Sequence, residues 1–132
     1  PLSLANAQVV LIISAINNCH VDIIGHLTGR LLNRRFGYQV DFNKVLKAEA
    51  LRGTVLEINA HPDRLDISEE VAFQAKAKGI KMVINSDAHR VSDLPLIGYG
   101  IFNARRGWLE AEDVINTWSL GDLLHYLENK FL

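Results

Sequence analysis

The sequence predicts an α/β domain built on a parallel sheet or barrel, and three observations carry that expectation. Short apolar runs end abruptly at polar residues, each is followed by a turn-rich loop, and each loop leads toward a helix with recognisable start and stop residues. Strand, loop and helix repeat three times in this way, the grammar of parallel strands joined by helical crossovers.

In chain order, Leu4 to Asn17 is expected to be a buried helix, with an apolar stretch from Val9 to Ile16 that is too short to span a bilayer and is interrupted by Ser14. Val21 to Gly25 reads as a short strand ending at His26, followed by a polar loop from Thr28 to Tyr38. Asp41 caps a helix that stops near Gly53. Thr54 to Ile58 forms a second strand, and Asn59 to Ile67 a loop. Ser68 caps the next helix, which carries Glu69 and Glu70 in its first turn, Lys76 and Lys78 in its last, and Gly79 as its stop, so that charge and helix dipole agree. Lys81 to Ile84 is the third strand, and helices are expected near Leu94 to Ala104, Ala111 to Ile115 and Ser119 to Phe131.

Bulk composition narrows the class. With 132 residues, 48% hydrophobic and 22% charged, the chain is at most one domain and can bury an ordinary core. A net charge of −1 gives no general attraction to nucleic acid, although Arg30, Arg34 and Arg35 cluster, as do Arg105 and Arg106. The single cysteine, Cys19, excludes an internal disulfide and fits a reducing compartment such as the cytoplasm; it reads as a small buried hydrophobe. The chain starts at Pro1 without Met, which fits a piece of a longer polypeptide as well as removal of an initiator Met.

In folds of this class the active site is built from loops at the carboxyl ends of strands. All three strand ends carry polar chemistry: His26, the series Glu57-x-Asn59-x-His61, and Asp87-x-His89. Asp87 and His89, two residues apart on extended backbone, point the same way, and a carboxylate with an imidazole suits a divalent metal such as Zn, Mn or Fe. His26 is the further candidate ligand. Glu57 interrupts an apolar strand and needs a partner, either a metal or an arginine such as Arg30 or Arg64. A role facing substrate or supporting a ligand is favoured for it over direct ligation. His61 can reach the same pocket, although a loop histidine beside Pro62 commonly faces solvent. Arg64 can pair with Asp63 or Asp66, or hold a phosphate, and Arg30 carries the same ambiguity. His20 and His125 read as structural or surface residues, and Trp108 and Trp118 as anchors of the last helices.

Four segments in order carry a resemblance: Val21 to Arg30 (Val-Asp-Ile-Ile-Gly-His-Leu-Thr-Gly-Arg), Leu56 to Asp66 (Leu-Glu-Ile-Asn-Ala-His-Pro-Asp-Arg-Leu-Asp), Ile84 to His89 (Ile-Asn-Ser-Asp-Ala-His) and Ala104 to Leu109 (Ala-Arg-Arg-Gly-Trp-Leu). From about His20 onward the chain resembles the carboxyl-terminal half of the PHP (polymerase and histidinol phosphatase) domain of bacterial family X DNA polymerases. The resemblance implies part of a distorted (β/α)7, TIM-like barrel with up to three divalent metals, acting as a phosphoesterase. In that family the domain is a 3′→5′ exonuclease that processes DNA 3′ ends in repair. By motif, His26, Asp87 and His89 match metal ligands, and Arg30, Glu57, Asn59, His61 and Arg64 are candidates for substrate contact or support. The family usually has Pro at Leu27 and Asn at His61. Its amino-terminal ligand motifs and its polymerase module are not among these segments.

The whole of 1–132 is therefore expected to be a carboxyl-terminal portion of such a domain, weakly active or inactive alone. Its expected partners are DNA, through the longer protein, and the rest of the barrel and polymerase module, with no membrane. Leu4, Val9, Val10, Ile12 and Ile13 are expected to be partly exposed, giving self-association. Two other readings remain: a histidinol-phosphatase-like small-molecule phosphoesterase, and a non-catalytic structural or interaction module.

Overall fold

The computed structural model describes residues 3–130, in which helices and strands alternate as the sequence predicts. In order they are α1 (Leu4–Ile16), β1 (Ile23–Ile24), α2 (Phe42–Arg52), β2 (Val55–Asn59), α3 (Glu69–Ala77), β3 (Met82–Asn85), α4 (Ile97–Arg106) and α5 (Leu120–Asn129). The strands form one parallel sheet in the order β1-β2-β3. Sequential neighbours joined by helices place all three carboxyl ends on one side.

Capping residues set the helices. The side chains of Ser3, Asp41, Ser68 and Ser119 each accept a hydrogen bond from a backbone N–H in the first turn. Gly53 closes α2 with φ of 71°, and Gly79 follows α3 with φ of 74°, both left-handed conformations that suit glycine.

Register divides the sheet into two faces. Leu56 and Ile58 of β2 lie beside Met82 and Ile84 of β3 and pack into the main core with Val45, Leu46, Val71, Ala72 and Ala104. Val55, Glu57 and Asn59 point the other way, beside Val83 and Asn85. At the amino ends of the strands this second face is covered by Ile115, Trp118, Leu123 and Tyr126. Toward the carboxyl ends it is polar.

Several boundaries differ from expectation. The first strand shrinks to Ile23–Ile24, because only these residues pair with β2, while the Lys130 amine takes the Val21 carbonyl and the Asp22 carboxylate. The second and third strands each start one residue later and end one later, as Asn59 pairs with Asn85. The helix expected from Leu94 begins instead as a 3-10 turn, Val91–Leu96, that contains Pro95; α4 follows it. Ala111 to Ile115 is not one helix but two short 3-10 turns, Ala111–Asp113 and Ile115–Thr117. Val114 between them is extended and makes a parallel bridge to Met82.

Three burial expectations are also corrected. Cys19 is exposed, because it lies in the turn between α1 and β1. Trp108 is 74% exposed and anchors nothing through its ring, whereas Trp118 packs edge-on against Tyr126 with ring centroids 5.4 Å apart. Val9 is buried, since it lies on the stripe of α1 that joins the main core. The expected helix end at Phe131 lies outside the described residues. Among the described residues no helix is long and apolar enough to cross a membrane.

Candidate functional site at the carboxyl ends of the strands

The end of β1 is shaped around a carboxylate from its neighbour. Glu57, in the middle of β2, accepts a hydrogen bond from the backbone N–H of His26 at Oε2 (3.1 Å) and from the Asn85 amide at Oε1 (2.9 Å). Gly25 makes the approach possible: a Cβ there would lie 2.9 Å from Glu57 Oε2. The charge thus joins the ends of all three strands. Of the alternatives raised for Glu57, no arginine pairs with it among the described residues; Asn85 stands there because it is in register with Asn59, two residues beyond Glu57 on the same face.

Asn59, fully buried, links His26 to the following loop. Its Oδ1 accepts from the His61 N–H (3.0 Å), which fixes the amide so that Nδ2 lies 3.4 Å from His26 Nδ1. An amide nitrogen only donates, so neutral His26 carries its proton on Nε2 in this arrangement. The His61 ring, partly buried, accepts from the Asp63 N–H at Nδ1 (3.2 Å).

The loop after β2 is tied to the loop after β1. Asp66 is completely buried, and its carboxylate accepts from the backbone N–H groups of Thr28 (3.0 Å) and Gly29 (3.1 Å). The Arg30 guanidinium donates to the carbonyls of Arg64 (2.8 Å) and Leu65. Among the described residues Arg64 pairs with neither Asp63 nor Asp66, and Arg30 does not pair with Glu57, pairings that stand as alternatives to phosphate binding. Arg64 instead reaches across to β3's loop, where its Nε lies 3.4 Å from Asp87 Oδ2. Asn85 and Asp93 were not singled out by sequence, and Asp66 was considered only as a partner of Arg64, since their roles arise from contacts between loops. Register with Asn59 was the one available signal, and it concerned Asn85.

Contrary to the expectation of extended backbone, Asp87 lies beyond the end of β3 in a left-handed conformation, φ 56°, with its carbonyl toward its own loop. His89 Nδ1 lies 2.7 Å from that carbonyl, and a carbonyl only accepts, so Nδ1 carries the proton and Nε2 is left with its lone pair. Metal-binding histidines are commonly oriented in this way. The His89 N–H donates to the Asp93 carboxylate (3.2 Å), which Arg90 also pairs at 3.2 Å. Of the three expected ligands, His89 presents an unprotonated Nε2 and Asp87 is paired with Arg64, whereas His26 would have to release Asn59 to ligate through Nδ1 or shift its proton to ligate through Nε2. Among the described residues no three His, Cys, Asp or Glu side chains converge closely enough to hold a metal ion, so His26, Asp87 and His89 are not drawn into one cluster.

Comparison with known proteins finds similarity to a DNA polymerase/exonuclease and to probable phosphatases. No family model matches it. It is 42% identical over 115 residues to the DNA polymerase/3′-5′ exonuclease PolX of Bacillus subtilis (strain 168), a match covering 87% of this chain and 20% of that protein. It is 33% identical over 125 residues to a probable phosphatase of Thermoanaerobacter sp. (strain X514), covering 90% of this chain and 48% of the phosphatase. A probable phosphatase of Caldanaerobacter subterraneus is 30% identical over 125 residues. The chain thus spans about a fifth of the polymerase and about half of the phosphatases it matches.

Proposed function

We propose that this chain, 42% identical over 115 residues to a DNA polymerase/3′-5′ exonuclease PolX, forms the carboxyl-terminal part of a PHP phosphoesterase domain that trims DNA 3′ ends. The observation that carries the reading is the bonded set at three adjacent strand ends, in which Glu57 joins His26 to Asn85 and Arg64 joins the second loop to Asp87. Sequential parallel strands with chemistry at their carboxyl ends are what one wall of a (β/α)7 barrel provides.

Asp87 and His89, with His26, are this chain's proposed contribution to a divalent-metal centre of Zn, Mn or Fe, completed by ligands from elsewhere in the domain. Bound there, such ions would lower the pKa of a bound water and neutralise phosphate charge. The residues present perform the supporting work. Glu57 fixes the His26 backbone, Asn59 orients its ring, and the Asp87 carbonyl orients His89. Arg64 and Arg30 supply positive charge beside the strand ends. Arg64, with only one carboxylate contact, is the one placed to meet a phosphate. We place the parent protein in the cytoplasm, working in DNA repair.

The test compares 3′→5′ degradation of a 3′-recessed DNA, with Mn²⁺ present, by the chain alone and by the longer protein. Weak or no activity is expected from the chain alone. Asp87→Asn or His89→Ala in the longer protein should lower the rate by more than about 100-fold, since losing a group that merely orients a ligand already costs roughly 10–100-fold. Full activity in either variant would sink the assignment. A second reading, hydrolysis of a small phosphoester such as histidinol phosphate, is favoured by kinship with the probable phosphatases, of which this chain spans the larger share. Relative turnover of the two substrates by the longer protein separates them.

A further inference from the structure

The loop between β1 and α2 projects an aromatic ring into solvent directly after two arginines, at the same end of the molecule as the candidate site. From Leu27 to Val40 the chain carries Arg30, Arg34 and Arg35 and no acid. Phe36 is 100% exposed and Tyr38 53% exposed. The side chains of Arg34 and Phe36 make no hydrogen bond, ion pair or ring contact among the described residues, while the Arg34 backbone N–H donates to the Leu31 carbonyl (3.0 Å). A bare phenylalanine on a loose loop would carry little meaning, but this loop is built. Leu31 and Arg35 pair as an antiparallel bridge, the Leu32 N–H donates to the Asp63 carbonyl (2.6 Å) and the Tyr38 N–H to the Thr28 carbonyl (2.7 Å). The Arg35 guanidinium donates to the Gly29 carbonyl (2.8 Å), and the Tyr38 ring packs so tightly on Gly29 that a Cβ there would lie 2.7 Å away. Phe36 is therefore held out by a rigid base, with its cost of ordering already met by the fold.

A concave surface flanks it on each side. One hollow of about 520 Å³ runs along Arg30 to Gly37, and another of about 550 Å³ lies between Phe36, Tyr38, Phe42 and Val71. Both are of nucleotide size. Alternating cationic and aromatic side chains on a groove is the composition that binds single-stranded nucleic acid: guanidinium groups meet phosphates, and any base stacks on the ring. Arginine and aromatic side chains also enrich protein interfaces, but a loop with three arginines and no acid favours a polyanion.

We propose that the Leu31 to Tyr38 loop is a stacking finger for a single nucleic-acid strand, with Phe36 under a base and Arg34 and Arg35 on the flanking phosphates. The finger is linked to the candidate site by Arg30, which anchors the loop to the carbonyls of Arg64 and Leu65. The inference deepens the phosphoesterase reading, since it favours a strand over a small phosphoester. Its test needs neither metal nor turnover.

The experiment is fluorescence anisotropy of a labelled oligo-dT with the full chain in EDTA, across a salt series. Binding at roughly 50 mM salt that weakens as salt rises is expected. Phe36→Ala should weaken it about tenfold at every salt concentration, the order of one base stacked on one ring. Arg34→Ala should reduce the log–log salt slope by about 0.7, the value for one phosphate contact on a single strand. An abasic oligonucleotide should bind the wild type as weakly as dT binds the Phe36→Ala variant. Both side chains are exposed, so neither change should disturb folding, and circular dichroism checks this. No binding by the wild type, or equal binding by all variants, overturns the proposal. So does a self-associated wild type that Phe36→Ala dissolves, which would make a second copy the occupant. Mn²⁺-dependent hydrolysis that is indifferent to Phe36 and Arg34 would remove the finger and leave the phosphoesterase reading standing.

Discussion

Glu49 is the residue whose environment makes the sharpest demand on the fold. It lies on the buried stripe of α2, is 0% exposed, and neither carboxylate oxygen has a hydrogen-bond partner. Burial raises its pKa from 4.5 to about 8. Of the titratable groups around it, Tyr126 gives its hydroxyl proton to the Gly53 carbonyl and Lys130 is committed to Val21 and Asp22; α1 has no titratable side chain. The folded chain keeps the Glu49 proton up to about pH 8, whereas the unfolded chain releases it near 4.5. The contribution is therefore complete below pH 4.5 and is lost as pH rises toward 8. The stability lost across that window is up to about 5 kcal/mol. Asp41 and Glu69, held below their ordinary range first by backbone N–H hydrogen bonds, titrate below this window and leave the sign unchanged. Urea denaturation should show Glu49→Leu gaining more stability at pH 8.5 than at pH 5; an equal gain at both would show the carboxyl to be ionised throughout. Such single-residue facts were partly legible in sequence. An apolar run that stops at Asp87-x-His89, or at His26, reports a strand end from local pattern alone. The Arg64–Asp87 pair and the Asp66 cradle join loops whose proximity only the assembled sheet creates, and the burial of Glu49 depends on which stripe of α2 faces inward.

Among the elements, β3 shows how an edge is closed without another strand. The Asn116 amide accepts from the Ile84 N–H (2.8 Å) and donates to the Ile84 carbonyl (2.9 Å), imitating a paired backbone, while Val114 bridges Met82. Ile84 is itself buried, so both of its backbone groups would be stranded without that amide. Asn116→Ala should cost about 1–3 kcal/mol, the penalty for unsatisfied buried polar groups. Amide exchange at Ile84 should accelerate with it. Unchanged protection at Ile84 would mean that water or a neighbouring group replaces the amide. Elements with their own punctuation, such as α2 between Asp41 and Gly53 or α3 between Ser68 and Gly79, were readable because cap chemistry is local. Those set by distant partners were not. Lys130, 109 residues along the chain, is what diverts Val21 from β1, and the bridge from Val114 to Met82 is what splits the helix expected at Ala111 to Ile115.

At the scale of the whole molecule, alternation of strand and helix was enough to fix an α/β class with parallel strands, because that alternation leaves few other ways to bury both faces of a sheet. The covering is uneven. α1 is apolar around much of its circumference, yet only the stripe that includes Val9 and Ile16 is buried, leaving Leu4 91%, Val10 55% and Leu11 67% exposed. The sheet is asymmetric too: β3's outer edge is closed by Asn116 and Val114, whereas β1 pairs only with β2, and Ile23 is 42% exposed. An exposed apolar helix face beside an open parallel edge is the kind of surface that proteins cover by association. Sedimentation of the chain should show weight-average mass rising with concentration in the micromolar range. Replacing Leu11 with lysine adds a charge to the exposed face without touching the buried stripe, and should return the chain to a monomer with unchanged helical circular dichroism. If the apolar face of α1 were instead tolerated in water, the unsubstituted chain would sediment as a monomer at every concentration, and Leu11→Lys would change nothing.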